Sequence, residues 1–382
     1  MYKKHINNNR LISLVNKEKN IIILILSIII YIYFRSGVIH SPVEDLDIPS
    51  GVGVDFISAN KQFSKLISFY NYGGNGEIYS IIGTGTGSSL AKTREERQLL
   101  TNKKMLLGLQ RVYVFGEEYA SFGIKNLIDI EFKNRTINDT ALLAVCKGKV
   151  EDIFSYKIPT YPSTADYLEG ILEHSTAFNF FSNNYKMMDI YVRMDAEGRS
   201  VVLPYIQVKD KELKITGMAL FKKDKMVKKI DIDEARVMNL LRENKVKGML
   251  VLQDNLKEYI SYYTQTKRKV RCEKKEDKYT FFIDLSLNGE IVENELFPDI
   301  HESAATMRKF ESQMIEKVEK MSYDFIKKMQ KDCKVDCLAL GKVAAAKYGR
   351  HTGVDWDEVV SNSDIIVNVE VKVDNMGRGD YE

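Results

Sequence analysis

The chain has 382 residues and a mass of 43.9 kDa, enough for two or three domains with cores of their own, which excludes a disulfide-stapled miniprotein. Hydrophobic residues make up 44% and charged residues 29%, with only 6 prolines, so neither extended disorder nor a polytopic membrane protein fits. The net charge of +3 belongs to one end: residues 1–35 hold Lys3, Lys4, Arg10, Lys17, Lys19 and Arg35 against Glu18, and the remainder, 50 basic against 52 acidic, lacks the footprint of a nucleic-acid-binding body.

Residues 21–34 read IIILILSIIIYIYF without a charge. At 1.5 Å per residue they span about 21 Å, and continuing to Ile39 gives about 28 Å if Arg35 snorkels, against a hydrocarbon layer of roughly 30 Å. The length also suits a secretory signal, but no A-x-A-like cleavage site follows. A buried core helix is the bland alternative, and flanking lysines on a segment apolar on every side are poor design for one. Basic residues precede the segment while Glu44, Asp45 and Asp47 follow it, which predicts a cytoplasmic N-terminus and an outer body.

Downstream, 44–57, 62–72 and 77–85 read as strands, with Asn71, Gly73, Gly74, Asn75 and Gly76 as a turn. Leu99, Leu100, Met105, Leu106 and Leu109 predict a helix over 89–109; RVYVFG (111–116) reads as a strand, 117–132 as a helix with an acidic first turn, and LLAVCKG as a strand. Residues 189–207 look strand-like, KDKEL (209–213) resembles a boundary between domains, and two apolar runs around Lys223, Asp224 and Lys225 predict a hairpin. Asp231 or Asp233 caps a helix through 234–244, and KGMLVL returns as a strand. Alternation over 259–272 and 279–287 predicts a second hairpin with one wet side, its core face carrying Tyr279, Phe281, Ile283, Leu285 and Leu287. A long helix over 303–331 presents Met307, Phe310, Met314, Val318, Met321, Phe325 and Met329 to a core or, alternatively, to a promiscuous groove. A helix ending at Gly349 and a strand with Val367, Val369, Val371 and Val373 on one side close the chain.

The pattern predicts an α+β protein: a multi-domain mixed α/β extracytoplasmic body of antiparallel and mixed sheets with packed helices, behind one N-terminal transmembrane helix. The segments are a cytoplasmic 1–20, an anchor 21–39, an N-terminal α/β domain 41–205 and a C-terminal α/β domain 212–375. No chemistry stands out. GTGTGSS (83–89) has Ser-Ser where a P-loop needs Gly-Lys and lacks the third glycine of GxGxxG, so it reads as a flexible turn before a helix. His5, His40, His174, His301 and His351 are scattered, and no GxSxG surrounds a serine. Glu117-Glu118 begins a helix, where acids are stabilisers. Cys146, Cys272, Cys333 and Cys337 form no CxxC and read as small buried side chains, with a bridge or redox role as the alternative. Asn134-Arg-Thr and Asn138-Asp-Thr fit a sequon that matters only in a eukaryotic cell. No catalytic residue, cofactor or metal is expected.

EDLDIPSGVGVDF (44–56) resembles the opening of the mature Ger(x)C family, the C subunits of nutrient germinant receptors in spore-forming bacteria. QRVYVFGEEYASFGIKNLIDI (110–130) followed by KGKVEDIF, KITGMALFKKDKMVKKIDIDEARVMNLL (214–241), the C-terminal LALGKVAAAKYG with Trp356, and IVNVEVKV are similar to that family in order and spacing. The resemblance implies two GerAC-like α/β domains, an A subunit and a multispan B subunit as membrane partners, residence at the spore inner membrane, and no enzymatic activity. Members usually carry a lipobox Cys before the acidic opening; Val38 stands about there, so no lipidation is expected and segment 21–34 replaces the acyl chains. Candidate contact residues are Gly51, Gly53 and Asp55, on the edge nearest the membrane, and the turn Gly116, Glu117 and Glu118. A membrane-anchored solute- or cell-wall-binding protein is the competing reading, and an extracytoplasmic enzyme a third.

Overall fold

Fourteen uncharged residues between basic flanks continue one helix, α1 (Asn8–Ser36), in the computed structural model, which describes residues 8–36, 42, 45–74, 76–276 and 278–376, with the backbone alone at 8–18, 36, 375 and 376. Its large side chains from Ile21 to Phe34 are exposed, and Arg35 folds back so that a guanidinium N–H donates to the Tyr31 hydroxyl at 2.7 Å. Among the described residues no helix is long and apolar enough to cross a membrane, and residues 37–39 of the expected span, Val38 included, lie outside them.

The body is a separate compact unit from Asp47. Alternating β-branched and aromatic residues build β1 (Leu46–Ile57), β2 (Gln62–Tyr72) and β3 (Ile78–Gly87), an antiparallel meander whose second turn includes Asn75, outside the described residues. The short apolar runs β5 (Val112–Gly116) and β6 (Leu142–Cys146) are buried on both faces and pair in parallel beside β1, and β7 (Val202–Lys209) follows in parallel. β8 (Glu212–Lys222) and β9 (Lys225–Asp231) complete a nine-stranded sheet of order β3-β2-β1-β5-β6-β7-β8-β9, with the two-residue β4 (Lys104–Met105) beside the start of β1. One face is covered by α3 (Glu117–Phe122), α4 (Lys125–Phe132) and α7 (Met187–Asp195), the other by α5 (Val150–Phe154) and α6 (Thr164–His174).

Asp231 caps α8 (Ile232–Arg242) in a reciprocal capping box with Glu234. A four-stranded sheet follows: β10 (Lys247–Asn255), β11 (Glu258–Lys275), β12 (Lys278–Asn294) and, parallel to β12, β13 (Asp364–Met376). Phe281, Ile283, Leu285 and Leu287 are buried as the alternation requires, under α9 (Ala304–Lys328), which packs the stripe Phe310, Met314, Val318 and Phe325 into the same core. A π-helical turn (Met329–Cys333) ends at Lys334 in the left-handed region, and α10 (Gly341–Tyr348) and α11 (Trp356–Ser361) fill the end of this layer. The rims of this sheet are partly occupied. Residues 178–180 bond β10 through Phe180 N–H to Lys247 O and Met249 N–H to Phe178 O, while Val367 N–H on β13 donates to the Tyr323 hydroxyl at 3.2 Å.

Four expectations change. The helix over 89–109 is only α2 (Leu90–Gln98); Thr101 Oγ1 then donates to the Asp47 carboxylate at 2.7 Å and the chain turns into β4, because Leu99 and Leu100 have no core to face. The helix over 117–132 breaks at Gly123, whose φ of 137° lets Ile124 N–H reach Asp224 O. Residues 187–195 are helical: Met187, Ile190 and Met194 share a buried side at steps of three and four. The glycines 83, 85 and 87 lie in β3 rather than in a flexible turn, and a Cβ on Gly87 would come within 2.6 Å of Lys92 in the overlying α2. The sequon asparagines make local turns: Asn138 Oδ1 accepts from Thr140 N–H and Oγ1, and Asn134 does the same with Thr136. All four cysteines are buried free thiols.

The polar stretch 209–213, read as a boundary between domains, is the tip of the β7–β8 hairpin: Lys209 pairs with Glu212, with Asp210 and Lys211 at positive φ. A buried cluster also crosses between the halves. Arg242 donates to Ser200 O at 3.0 Å, to Cys337 O at 2.5 Å and to Glu243 at 3.0 Å, and the Arg242 and Arg193 charges outweigh burial to hold the Glu243 carboxyl below its usual pKa. Arg242→Met removes the ion-pair partner of that buried carboxylate and leaves it the Asn184 amide and the more distant Arg193 charge, a loss of about 3 kcal/mol. Urea unfolding of the wild type is expected to show one transition in both near- and far-ultraviolet signals, moved to lower urea by the substitution; two separate wild-type transitions would show that the halves fold independently.

Candidate functional site

Of the six residues singled out by sequence, Asp55, Gly116, Glu117 and Glu118 meet at the carboxyl edge of the parallel strands, where open α/β sheets present their loops, while Gly53, level with Val114, lies mid-strand and Gly51, level with Val112, lies at the amino end of β5. Register puts Gly53 beside Val114 and Val54 beside Phe115 across β1 and β5, and Gly116 beside Cys146 across β5 and β6, so Asp55 and Gly116 stand next to each other. The arrangement depends on missing side chains. A Cβ on Gly51 would sit 2.7 Å from Ala165, one on Gly53 would collide with Val150, and one on Gly116 with the Asp55 carboxylate. Helices α5 and α6 therefore lie directly on the β1 backbone.

Asp55 is buried, and both its oxygens accept from Val150 N–H, at 3.0 and 3.1 Å, which caps the start of α5. Burial raises its pKa to about 6, against the lowering effect of the Val150 bond and the Lys149 charge. The same burial, with the Asp55 charge next, pushes the Cys146 thiol well up, which suits a packed rather than a reactive sulfur. Gly51, Gly53, Asp55 and Gly116 thus have no free surface, and Glu117 is half-buried.

Glu118 is exposed and accepts from Ser58 Oγ at 2.7 Å, tying α3 to the turn after β1. One turn along α3, the exposed Phe122 stacks on Phe56 with ring centroids 4.5 Å apart, and Phe63 packs edge-on against it. Sequence reasoning missed Phe122; its signal was the i, i+4 spacing from Glu118, which puts carboxylate and ring on one side of the helix. It also missed α6, announced by Ser163, whose side chain accepts from Ala165 N–H. The outward result is a small face of Ser58, Glu118 and Phe122 over a rigid floor. It has hydrogen-bonding and aromatic character suited to contact, and among the described residues no cluster of His, Cys, Asp and Glu could hold a metal.

The raised Asp55 pKa has a definite sign. The native state holds this proton more tightly than the unfolded chain, so stability falls as pH rises from about 4 to about 6, on the order of 3 kcal/mol. The buried Asp336, also raised to about 6, adds a second contribution of the same sign. Asp55→Asn is expected to flatten the pH dependence of denaturant unfolding across that window without abolishing it; an unchanged slope would refute the assignment.

Comparison with known proteins covers most of the chain. A family model described as spore germination protein N-terminal domain matches residues 40–208, and one described as spore germination B3/GerAC like, C-terminal, matches 216–377, their junction falling at the β7–β8 hairpin. The chain is 25% identical over 350 residues to the spore germination protein GerQC of Bacillus cereus, covering 88% of this chain and 93% of that one. It is 22% identical over 222 residues to the putative spore germination protein YfkR of Bacillus subtilis (strain 168), covering 56% and 57%. Its fold matches the crystal structure of the GerBC protein with a TM-score of 0.56 at 15% identity, over 85% of this chain and 97% of that one. With both halves of the body matched in order, the chain belongs to the Ger(x)C family of spore germination proteins.

Proposed function

We propose that this protein is the non-catalytic C subunit of a nutrient germinant receptor at the spore inner membrane. The observation that carries the reading is the colinear match of both germination-protein models over the body. In this reading, the body comprises GerAC-like domains 41–205 and 212–375 and docks on the exposed loops of an A subunit and a multispan B subunit, stabilising the complex that converts nutrient binding into germination. The uncharged Ile21–Phe34 stretch of α1 and residues up to Ile39 form a single-pass anchor with the N-terminus in the cytoplasm. Lys17 and Lys19 lie on one side of the bilayer, and toward the other side the Tyr31 hydroxyl gives the Arg35 guanidinium a polar partner within the span. With Val38 where relatives carry a lipidated Cys, the helix supplies the attachment.

The docking face we assign is the carboxyl edge: Glu118 makes the contact, with Phe122 beside it, while Gly51, Gly53, Asp55, Gly116 and Glu117 shape the floor beneath. A solute-binding protein would call for an enclosed pocket between the halves. The open clefts beside Tyr70, Arg111 and Asp166, and beside Tyr279, Asp355 and Glu358, each lie within one half.

Spores lacking the gene are expected to lose the response to the cognate nutrient while germinating normally with a trigger that bypasses receptors; a full response to every nutrient would overturn the reading. Glu118→Arg is expected to leave stability within about 0.5 kcal/mol of wild type, as for most surface substitutions, yet to lower recovery of the membrane partners in a pull-down from spore membranes. Unchanged recovery with Glu118→Arg and Phe122→Ala together would remove the carboxyl edge as the docking face.

A further inference from the structure

Leu99 and Leu100, at the end of α2, are 86% and 73% exposed, adjacent in sequence and without a covering element in the body. Leu106 and Leu109 are exposed a few residues on. These are not loose side chains on a free loop. Thr101 Oγ1 donates to the Asp47 carboxylate and Leu106 N–H to Asp47 O at 2.9 Å, which fastens the segment at two points to the start of β1. Gly108, at φ of 90°, packs so closely on the Thr136 carbonyl that a side chain has no room. The leucines are held outward on a fixed support, at a cost in exposed apolar surface that ordinary packing does not explain.

Two features identify what covers them. The chain enters the body at this point: nine residues, 37–45, separate the end of α1 from Leu46, and Asp47 is the residue that the leucine segment grips. The flanks are basic as well. Residues 92–111 carry six cations in a body whose total charge is close to zero; Lys92 pairs with Glu95, Arg111 with Glu169, and Arg97 donates to Lys65 O, so Arg94, Lys103 and Lys104 carry the outward charge. Exposed aliphatic side chains interleaved with lysines, beside the entry of a short tether, have the composition of a surface that lies in the headgroup layer of an anionic bilayer. We propose that segment 99–109 is a lipid-contacting finger that seats Leu99 and Leu100 among the headgroups and acyl ends, with Lys103 and Lys104 on anionic phosphates. It fixes which end of the body faces the membrane.

The inference rests on the reading of α1 as the anchor, and the test separates the two. The four native cysteines are buried, so the full-length chain carrying Leu99→Cys can be labelled at that site with an environment-sensitive fluorophore, and Leu256→Cys at the exposed β10–β11 turn serves as the control. Each is reconstituted into vesicles of phosphatidylcholine with phosphatidylglycerol and titrated with brominated lipid. Quenching several-fold greater at 99 than at 256, lowered by Lys103→Glu with Lys104→Glu, supports the finger. A chain that floats with the vesicles but shows equal, weak quenching at both sites overturns it and leaves the anchor intact. Burial of the label only after the membrane subunits are added, or only as protein density in the vesicles rises, overturns it in favour of a protein partner or a second copy. A chain that does not float overturns both.

Discussion

Strand β8 gives alternate side chains to different cores, and the body depends on that sharing. Ala219 and Phe221 pack with Tyr205, Leu203 and the helices of the first half; Met218 and Leu220 point the other way, into the core built by α8, α9 and the second sheet. Because successive strand residues face opposite sides, one strand belongs to both halves without a linker between them. The Arg242 cluster adds a polar tie across the same region. The boundary between the two family models, at 208 and 216, therefore lies within a continuous sheet, and the two halves have few ways to move apart.

The carboxyl edge follows from another close approach. The glycines of β1 let α5 and α6 sit on bare backbone, and the space they leave is so tight that a carboxylate fits only as the acceptor for the first N–H of α5. Asp55 is thus a structural acid, with its altered proton affinity a by-product of burial. What reaches the surface is narrower: Glu118, Ser58 and an aromatic ring on a short helix that Gly123 ends abruptly.

Much of this was legible in the sequence. The strands of the first meander, the hairpin around Asp224, the capped α8, the long β11–β12 hairpin, the α9 stripe and the valine strand declared themselves by period and turn chemistry, and the family showed through five stretches in order. The failures have separate causes. Leu99 and Leu100 looked like the core face of a helix because apolar residues normally seek burial, and only tertiary structure reveals that no core lies beneath them. The strand-like reading of 189–207 began inside a helix whose step is set by Met187, Ile190 and Met194. KDKEL reads as a boundary between domains, and the junction of the two family models falls there, at a hairpin tip within one continuous sheet. At the candidate site, the glycine and acid pattern picked out residues on neighbouring strands, but sequence could not distinguish buried Asp55 from exposed Glu118, since that depends on which helix covers which strand.

The rims of the second sheet carry a further consequence. Ordinarily the outermost strands of an open sheet offer rows of unpaired amides to any extended chain that passes. Here the 178–180 segment bonds the start of β10, and the Tyr323 phenol bonds the Val367 amide on β13, so each margin is partly satisfied from within the molecule. An extended chain approaching either outer strand therefore meets, at Lys247–Met249 and at Val367, backbone groups already bonded within the molecule.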